Sequence, residues 1–147
     1  VVIYFGIAAI LGSYILQGGA TPVSTLLPGL ALGLPAAAVL LINNYRDASA
    51  DRKAGRRTLA LLLGARASRW LNAVLLISPF PLLMLEPGIG LMQPYLLALP
   101  MAAWLSVRLS AALDATGLNQ QMQWTIVLHG LLSVLLALGL LGAEPGY

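Results

Sequence analysis

The stretch Asn43-Asn44-Tyr45-Arg46-Asp47-Ala48-Ser49-Ala50-Asp51 sets one amide and two carboxylates four residues apart. Read as a continuation of the helix before it, it places Asn43, Asp47 and Asp51 at successive i, i+4 positions on one face. Two bare carboxylates at that spacing repel and cost a helix roughly a few tenths of a kcal/mol, which a cation between them removes. The donors are all oxygens, with no His or Cys nearby, a set that suits Mg2+. Magnesium keeps several waters and shares its shell with phosphate oxygens, so the acidic face predicts a phosphorylated substrate. Arg46, Lys53 and Arg57 fall at i, i+7 and i+11 on the neighbouring face, and Arg52 and Arg56 follow the second aspartate. The planar guanidinium fork binds phosphate oxygens in pairs, so these cations could clamp a diphosphate. In the other reading of the same residues, Asp47 and Asp51 pair with the arginines on a solvated connection, as mixed-charge loops commonly do. The position favours chemistry, because the cluster ends an apolar run where a lipid-soluble tail and a charged head could be held together.

The elements that position this segment are membrane helices. The 147 residues are 59% hydrophobic and 9% charged, against about a quarter charged in soluble domains. There is no cysteine, which excludes a disulfide framework, a zinc cluster and a thiol nucleophile. A bilayer core takes about 20 helical residues, and five apolar runs come near that length: Val1 to about Leu16, about Val23 to Ile42, Trp70 to Leu85, Gly88 to Val107 and about Trp124 to Leu141. Turns are expected at Gln17 to Pro22 and at Glu86-Pro87-Gly88, with a kink at Pro79 and Pro81. Gly55 is expected to end the helix that carries the aspartates, and Thr58 to cap the next. The fold class is therefore all-α, a polytopic transmembrane bundle. Its runs lack the alternation of a membrane barrel.

Seven of the eight cations lie between Arg46 and Arg69, so the segment 43–69 should face the cytoplasm by the positive-inside rule. Alternation then puts the Gln17 turn, Glu86 and Glu144 outside and the Arg108 connection inside. The chain opens Val1-Val2-Ile3 without Met, a charged n-region or a cleavage site, and is expected to continue a longer protein.

Other polar residues invite functional readings. His129, inside the last run, reads as a neutral hydrogen-bonding residue between helices in preference to a proton acceptor. Asn72 could touch substrate or serve helix packing. Asp114, Asn119, Gln120, Gln121 and Gln123 read as a solvated connection, or as a lid over the site. Trp70, Trp104, Trp124 and Tyr95 are expected to anchor at the interface. Gly29 and Gly33, spaced GxxxG, are expected to let two helices approach closely. No Gly-rich phosphate loop, Ser-His-Asp set or nucleic-acid module occurs, and nucleic acid is not an expected partner.

The stretch Asn43 to Gly64, N-N-Y-R-D-A-S-A-D-R-K-A-G-R-R-T-L-A-L-L-L-G, resembles the second aspartate motif of the UbiA superfamily of intramembrane aromatic prenyltransferases. Its Asn-Asn-x-Arg-Asp opening is similar to that of the 1,4-dihydroxy-2-naphthoate branch, which serves menaquinone biosynthesis. The upstream Gly12 to Gly19 and the apolar ending with His129 also resemble that branch, while Arg56 stands where it usually has Lys. The resemblance implies a nine-helix fold of which these five runs are helices five to nine. It implies that Asp47 and Asp51 are catalytic, holding Mg2+ against the donor diphosphate, with Asn43, Arg46, Arg52, Lys53 and Arg56 around that head group. The implied reaction transfers an isoprenyl chain from a polyprenyl diphosphate to dihydroxynaphthoate with loss of CO2, giving demethylmenaquinone. It also implies a multi-pass protein of the inner membrane, with a first aspartate motif in a preceding N-terminal half. This piece alone should be nearly inactive. A homogentisate, chlorophyll or hydroxybenzoate type is the alternative within the superfamily, and a transporter fragment the alternative outside it.

Overall fold

The computed structural model describes residues 1–19, 25–86, 93–109 and 114–142. Every regular element among them is helical, and the architecture is the all-α polytopic membrane bundle expected. A π-helical segment, Val2–Ala8, runs into α1, Ala9–Leu16. Then follow α2, Leu26–Arg46, α3, Ala48–Lys53, and α4, Leu59–Ile77. Next come α5, Pro79–Met84, a 3-10 turn, Pro94–Ala98, α6, Leu99–Arg108, and α7, Ala115–Gly142. Three stretches are long and apolar enough to cross a bilayer: Leu26–Arg46, Leu59–Met84 and Ala115–Leu141, with Val2–Leu16 a shorter apolar helix.

The boundaries differ from the sequence expectation at three places. The third helical stretch begins at Leu59 and not at Trp70, because Leu59 to Leu63 is itself apolar; at Gly64, φ 73° and ψ 174°, the backbone leaves the helical region, and two helical pieces meet there at a kink. The last helix begins at Ala115 and not at Trp124. Asp114 caps it, its carboxylate accepting from the Gly117 amide at 2.7 Å and its carbonyl from the Leu118 amide at 2.9 Å. The fourth run is a short helix among the described residues, since Pro94 opens a 3-10 turn and α6 holds ten residues. The Pro79 break falls where expected, with Ser78 still bonded to Val74 at 2.9 Å. The turn residues 20–22, Pro87, Gly88 and Glu144 lie outside the described residues.

α2 is the central element and packs against the π-helical segment, α4, α5 and α7. Its small residues permit this. A side chain on Gly33 would lie 2.9 Å from the Val2 carbonyl oxygen, one on Gly29 would lie 3.0 Å from the Ile7 Cα, and one on Gly6 would overlap the Gly29 carbonyl. Gly29 and Gly33 thus form the close crossing that their spacing suggests. The main core joins Leu76, Leu83, Tyr95, Leu105, Leu128 and Leu132. A separate cluster of Ile42, Leu109 and Leu118, with Tyr45 and Met122 against it, ties the end of α2 to the end of α6 and the start of α7. That cluster lies directly beneath the aspartate segment and fixes which side chains of α7 can reach it.

The expected anchors divide. Trp70, Trp104 and Trp124 are exposed, with Trp104 and Trp124 edge to face at 6.2 Å. Tyr95 is fully buried, its ring 6.4 Å from that of Phe80, so it is a core residue and no interface anchor. Asn72 is also fully buried, which answers its two readings in favour of packing.

Candidate active site

Asp47 lies at the joint between α2 and α3. Its backbone, φ −90° and ψ 3°, leaves the helical region, so the continuous helix expected from Asn43 to Asp51 is kinked. The turn spacing survives the kink. The Asp47 amide donates to the Asn43 carbonyl at 3.0 Å and the Asp51 amide to the Asp47 carbonyl at 2.9 Å. Asn43, Asp47 and Asp51 therefore still rise one above the next, a turn apart.

Arg46 organises the first half of the site. Its Nε donates to Asp47 Oδ1 at 2.8 Å and its Nη2 to Asp47 Oδ2 at 2.9 Å, a two-pronged grip on the carboxylate. Nη2 also donates to Asn43 Oδ1 at 2.7 Å, and Nη1 to Asn119 Oδ1 on α7 at 2.7 Å. One guanidinium thus gathers Asn43, Asp47 and Asn119.

The second half is built by the end of α3. Gly55, at φ 69°, provides the left-handed residue that terminates the helix as expected. The Gly55 amide returns to the Arg52 carbonyl at 3.2 Å and the Arg56 amide to the Asp51 carbonyl at 2.9 Å. That hook brings the Arg56 side chain back over Asp51, where Nη1 meets Oδ1 at 3.3 Å. Asp51 is buried, 6% exposed, whereas the Arg56 side chain is 73% exposed. Thr58 occupies the next N-cap position with extended backbone, but its hydroxyl makes no capping bond.

The proposed head-group residues therefore separate into sets. Asn43, Arg46 and Asp47 converge, and Asp51 pairs with Arg56. Arg52 and Lys53 are exposed, and neither makes an ion pair among the described residues. Arg52 faces a cavity of about 360 Å3 that Arg46, Tyr45 and Ser49 also line. Asn119 is the site residue that sequence reading left in a loop. The helical start at Ala115 brings it to Arg46, and the capping signature Asp-Ala-Thr-Gly at Asp114 is the signal that could have located it. Gln121 is buried against α6, donating to the Leu105 carbonyl at 2.8 Å, and Arg108 donates to Gln120 at 2.9 Å. These contacts make the start of α7 a packed element and no lid.

Below Asn43 an apolar cleft opens between the π-helical segment, α2 and α7. Its upper part, about 390 Å3, is lined by Phe5, Ala36, Val39, Asn43, Ile126 and His129. Its lower part, about 370 Å3, shares Phe5 and His129 and continues past Leu32 and Ser133 to Pro28 and Leu140. From Asn43 to Pro28 the cleft follows α2 for about 22 Å, at the helical rise per residue. The His129 imidazole faces this cleft. The interhelical hydrogen bond expected of it is not made among the described residues, and its backbone carbonyl accepts from Ser133 at 2.8 Å.

The electrostatics of the site follow from the pairing. The Arg46 hydrogen bonds, helped by the charges of Arg46 and Arg56 and opposed by desolvation, hold the Asp47 carboxyl below the usual carboxylate range. A carboxyl depressed in the folded state contributes stability above its unfolded pKa and loses it as pH falls through the folded value. Arg46→Gln is accordingly expected to move the Asp47 titration upward, toward the ordinary carboxylate range, as read by carboxyl NMR; an unmoved titration would deny the pairing.

Hard oxygen donors are what Mg2+ takes, and Asn43, Asp47 and Asp51 supply only those. Among the described residues no group of three or more His, Asp or Glu comes together. The donor set fits an ion that keeps waters and shares phosphate oxygens, and provides part of a shell, not a closed cage.

The UbiA prenyltransferase family profile matches residues 1–127. The chain belongs to the UbiA prenyltransferase family. It is 43% identical over 76 residues, 52% of its length, to the 1,4-dihydroxy-2-naphthoate octaprenyltransferase of Haemophilus influenzae, and 42% identical over the same length to that of Escherichia coli. It is 34% identical over 149 aligned positions, 99% of its length, to mouse UbiA prenyltransferase domain-containing protein 1. The chain spans 25% of the two bacterial relatives and 43% of the mouse protein. No solved structure matches it significantly.

Proposed function

We propose that this chain is the C-terminal part of a Mg2+-dependent prenyltransferase of the inner membrane. Its activity moves an isoprenyl group from a polyprenyl diphosphate to 1,4-dihydroxy-2-naphthoate in menaquinone biosynthesis. The observation that carries the reading is the stack of Asn43, Asp47 and Asp51, one turn apart and flanked by Arg46 and Arg56, at the mouth of an apolar cleft. A charged head and an isoprenoid tail need that combination.

In this scheme Asp47 and Asp51 hold the ion, and Asn43 and Arg46 contact the diphosphate. Arg52, Lys53 and Arg56 add positive charge around it. When bound, Mg2+ neutralises charge on the departing diphosphate. The allylic carbon–oxygen bond breaks, diphosphate leaves, and the electron-rich ring carbon bonds to the allylic carbon as its carboxyl departs as CO2. The tail lies in the cleft past Val39 and Phe5 toward Leu32. Arg46 holds both Asp47 oxygens in the resting arrangement, so it must exchange the carboxylate for phosphate oxygens as the ion enters. A preceding N-terminal half supplies the first aspartate motif and the rest of the cavity, and the connection from α2 to α4 that carries the aspartates faces the cytoplasm.

The naphthoate acceptor is supported by the identity to the two bacterial octaprenyltransferases. A different aromatic acceptor is the second reading, left open by the longer match to the mouse protein, whose name specifies no acceptor. Assay of the full-length protein with Mg2+ and a polyprenyl diphosphate decides between them. Prenylation of dihydroxynaphthoate at least about tenfold faster than that of 4-hydroxybenzoate is expected, a margin within what one recognition site can give. The reverse order would overturn the acceptor assignment.

A further inference from the structure

A second polar site lies between α4 and α6. There the two helices leave a cleft of about 380 Å3 lined by Arg66, Arg69, Trp70, Ala73, Ser106 and Val107. It shares no lining residue with the aspartate segment or the apolar cleft below Asn43. Arg66 and Arg69 are three residues apart on α4, hence neighbours on one helical face. No acidic residue lines the cleft, and neither arginine makes an ion pair among the described residues. Trp70 is 67% and Val107 71% exposed.

Depth in the membrane gives this arrangement its meaning. Arg66, Arg69 and Trp70 lie in the first two turns after the Gly64 kink of the stretch Leu59–Met84, while α6 ends two residues past Ser106 at Arg108. The part of α4 that follows the kink therefore starts at the level where α6 ends. Arg108 stacks on Trp104 there, its guanidinium carbon 5.2 Å from the ring centre, as expected of an interfacial belt. Two arginines with no ion pair among the described residues, an exposed indole beside them, and the apolar side chains of Ala73, a turn further along α4, and of Val107 make an amphipathic slot. Its cationic rim complements phosphate through the guanidinium fork, and its apolar floor complements an acyl chain. Two fixed positive charges favour a lipid with net negative charge over a zwitterionic one, whose own cation they repel.

We propose that the α4–α6 cleft binds an anionic phospholipid of the cytoplasmic leaflet through Arg66 and Arg69. The site is independent of which aromatic acceptor the enzyme uses.

The test uses full-length protein in phosphatidylcholine nanodiscs, into which brominated phosphatidylglycerol is titrated. Quenching of Trp70 is read as the difference between the protein and its Trp70→Phe variant. Saturable quenching is expected with brominated phosphatidylglycerol, while brominated phosphatidylcholine gives only weak, non-saturating quenching. Arg66→Gln or Arg69→Gln should weaken apparent affinity about fivefold and the double variant about 25-fold, from roughly one lipid-facing charge each. Three outcomes overturn the proposal: equal quenching by the two lipids, an unchanged response in the double variant, or displacement of phosphatidylglycerol by added inorganic pyrophosphate. The last would make the cleft a site for soluble phosphates.

Discussion

Asp47→Ala or Asp51→Ala in the full-length protein is expected to lower Mg2+-dependent prenyl transfer by at least about 100-fold, through lost charge stabilisation at the departing diphosphate. The structure separates this loss from a folding defect. In Asp47→Ala, Arg46 gives up its carboxylate partner but keeps Asn43 and Asn119, each at 2.7 Å, and the side chain removed is 41% exposed. In Asp51→Ala, the abandoned cation is Arg56, whose side chain is already largely in solvent, so no buried charge is stranded. Both variants should therefore melt near the parent temperature while losing turnover. Asp47→Asn and Asp51→Asn, which keep shape and remove charge, should resemble the alanine variants if metal binding is the role. Near-parent turnover in the asparagine pair would confine these residues to hydrogen bonding.

The largest expected loss of stability lies away from the chemistry, on the glycine seam between the π-helical segment and α2. Gly33→Leu drives a side chain into the Val2 backbone, and Gly6→Leu into the Gly29 carbonyl and the Gly33 Cα, the latter 2.8 Å from the first added carbon. Both neighbours are backbone, which cannot rotate aside, so the helices must separate. Overpacking of this kind costs about 1–3 kcal/mol, and in a lipid environment close contact between helices is itself the main source of association. Thermal denaturation in detergent should fall by roughly 3–10 °C for either variant. Gly12→Leu is the control, since an added carbon there meets nothing within 4 Å. A Gly33→Leu protein as stable as Gly12→Leu would mean that the seam is not closed. The cleft below Asn43 has the π-helical segment as one wall, so opening the seam should also weaken donor binding.

Much of this arrangement is legible in the residues. Gly55 ends α3 because a left-handed turn is needed there, and the i, i+4 spacing of Asn43, Asp47 and Asp51 puts them on adjacent turns even across the kink. The GxxxG pair on α2 marks the close crossing. What the sequence hides is tertiary. Nothing local says that Arg46 will close on the carboxylate next to it and not on a substrate, or that Asn119, 73 residues further on, will share its guanidinium. That contact depends on Ile42, Leu109 and Leu118 packing the start of α7 against the end of α2. Tyr95 misleads because a Tyr near the end of an apolar run suits an interface, while here the chain turns inward at Pro94 and buries the ring. The apolar run Leu59 to Leu63 is masked by the charges before it and the glycine after it. The start of α7 is masked by its amides, although Asp114 announces it.

The central claim is that Asp47 and Asp51 together hold a divalent ion that also binds the donor's diphosphate. Manganese in place of magnesium makes this directly visible. Electron paramagnetic resonance of the full-length protein with Mn2+ and a non-hydrolysable prenyl diphosphate analogue should show a bound ion coupled to phosphorus. That signal should disappear in both Asp47→Ala and Asp51→Ala. A phosphorus-coupled ion of unchanged affinity in either variant would contradict the account.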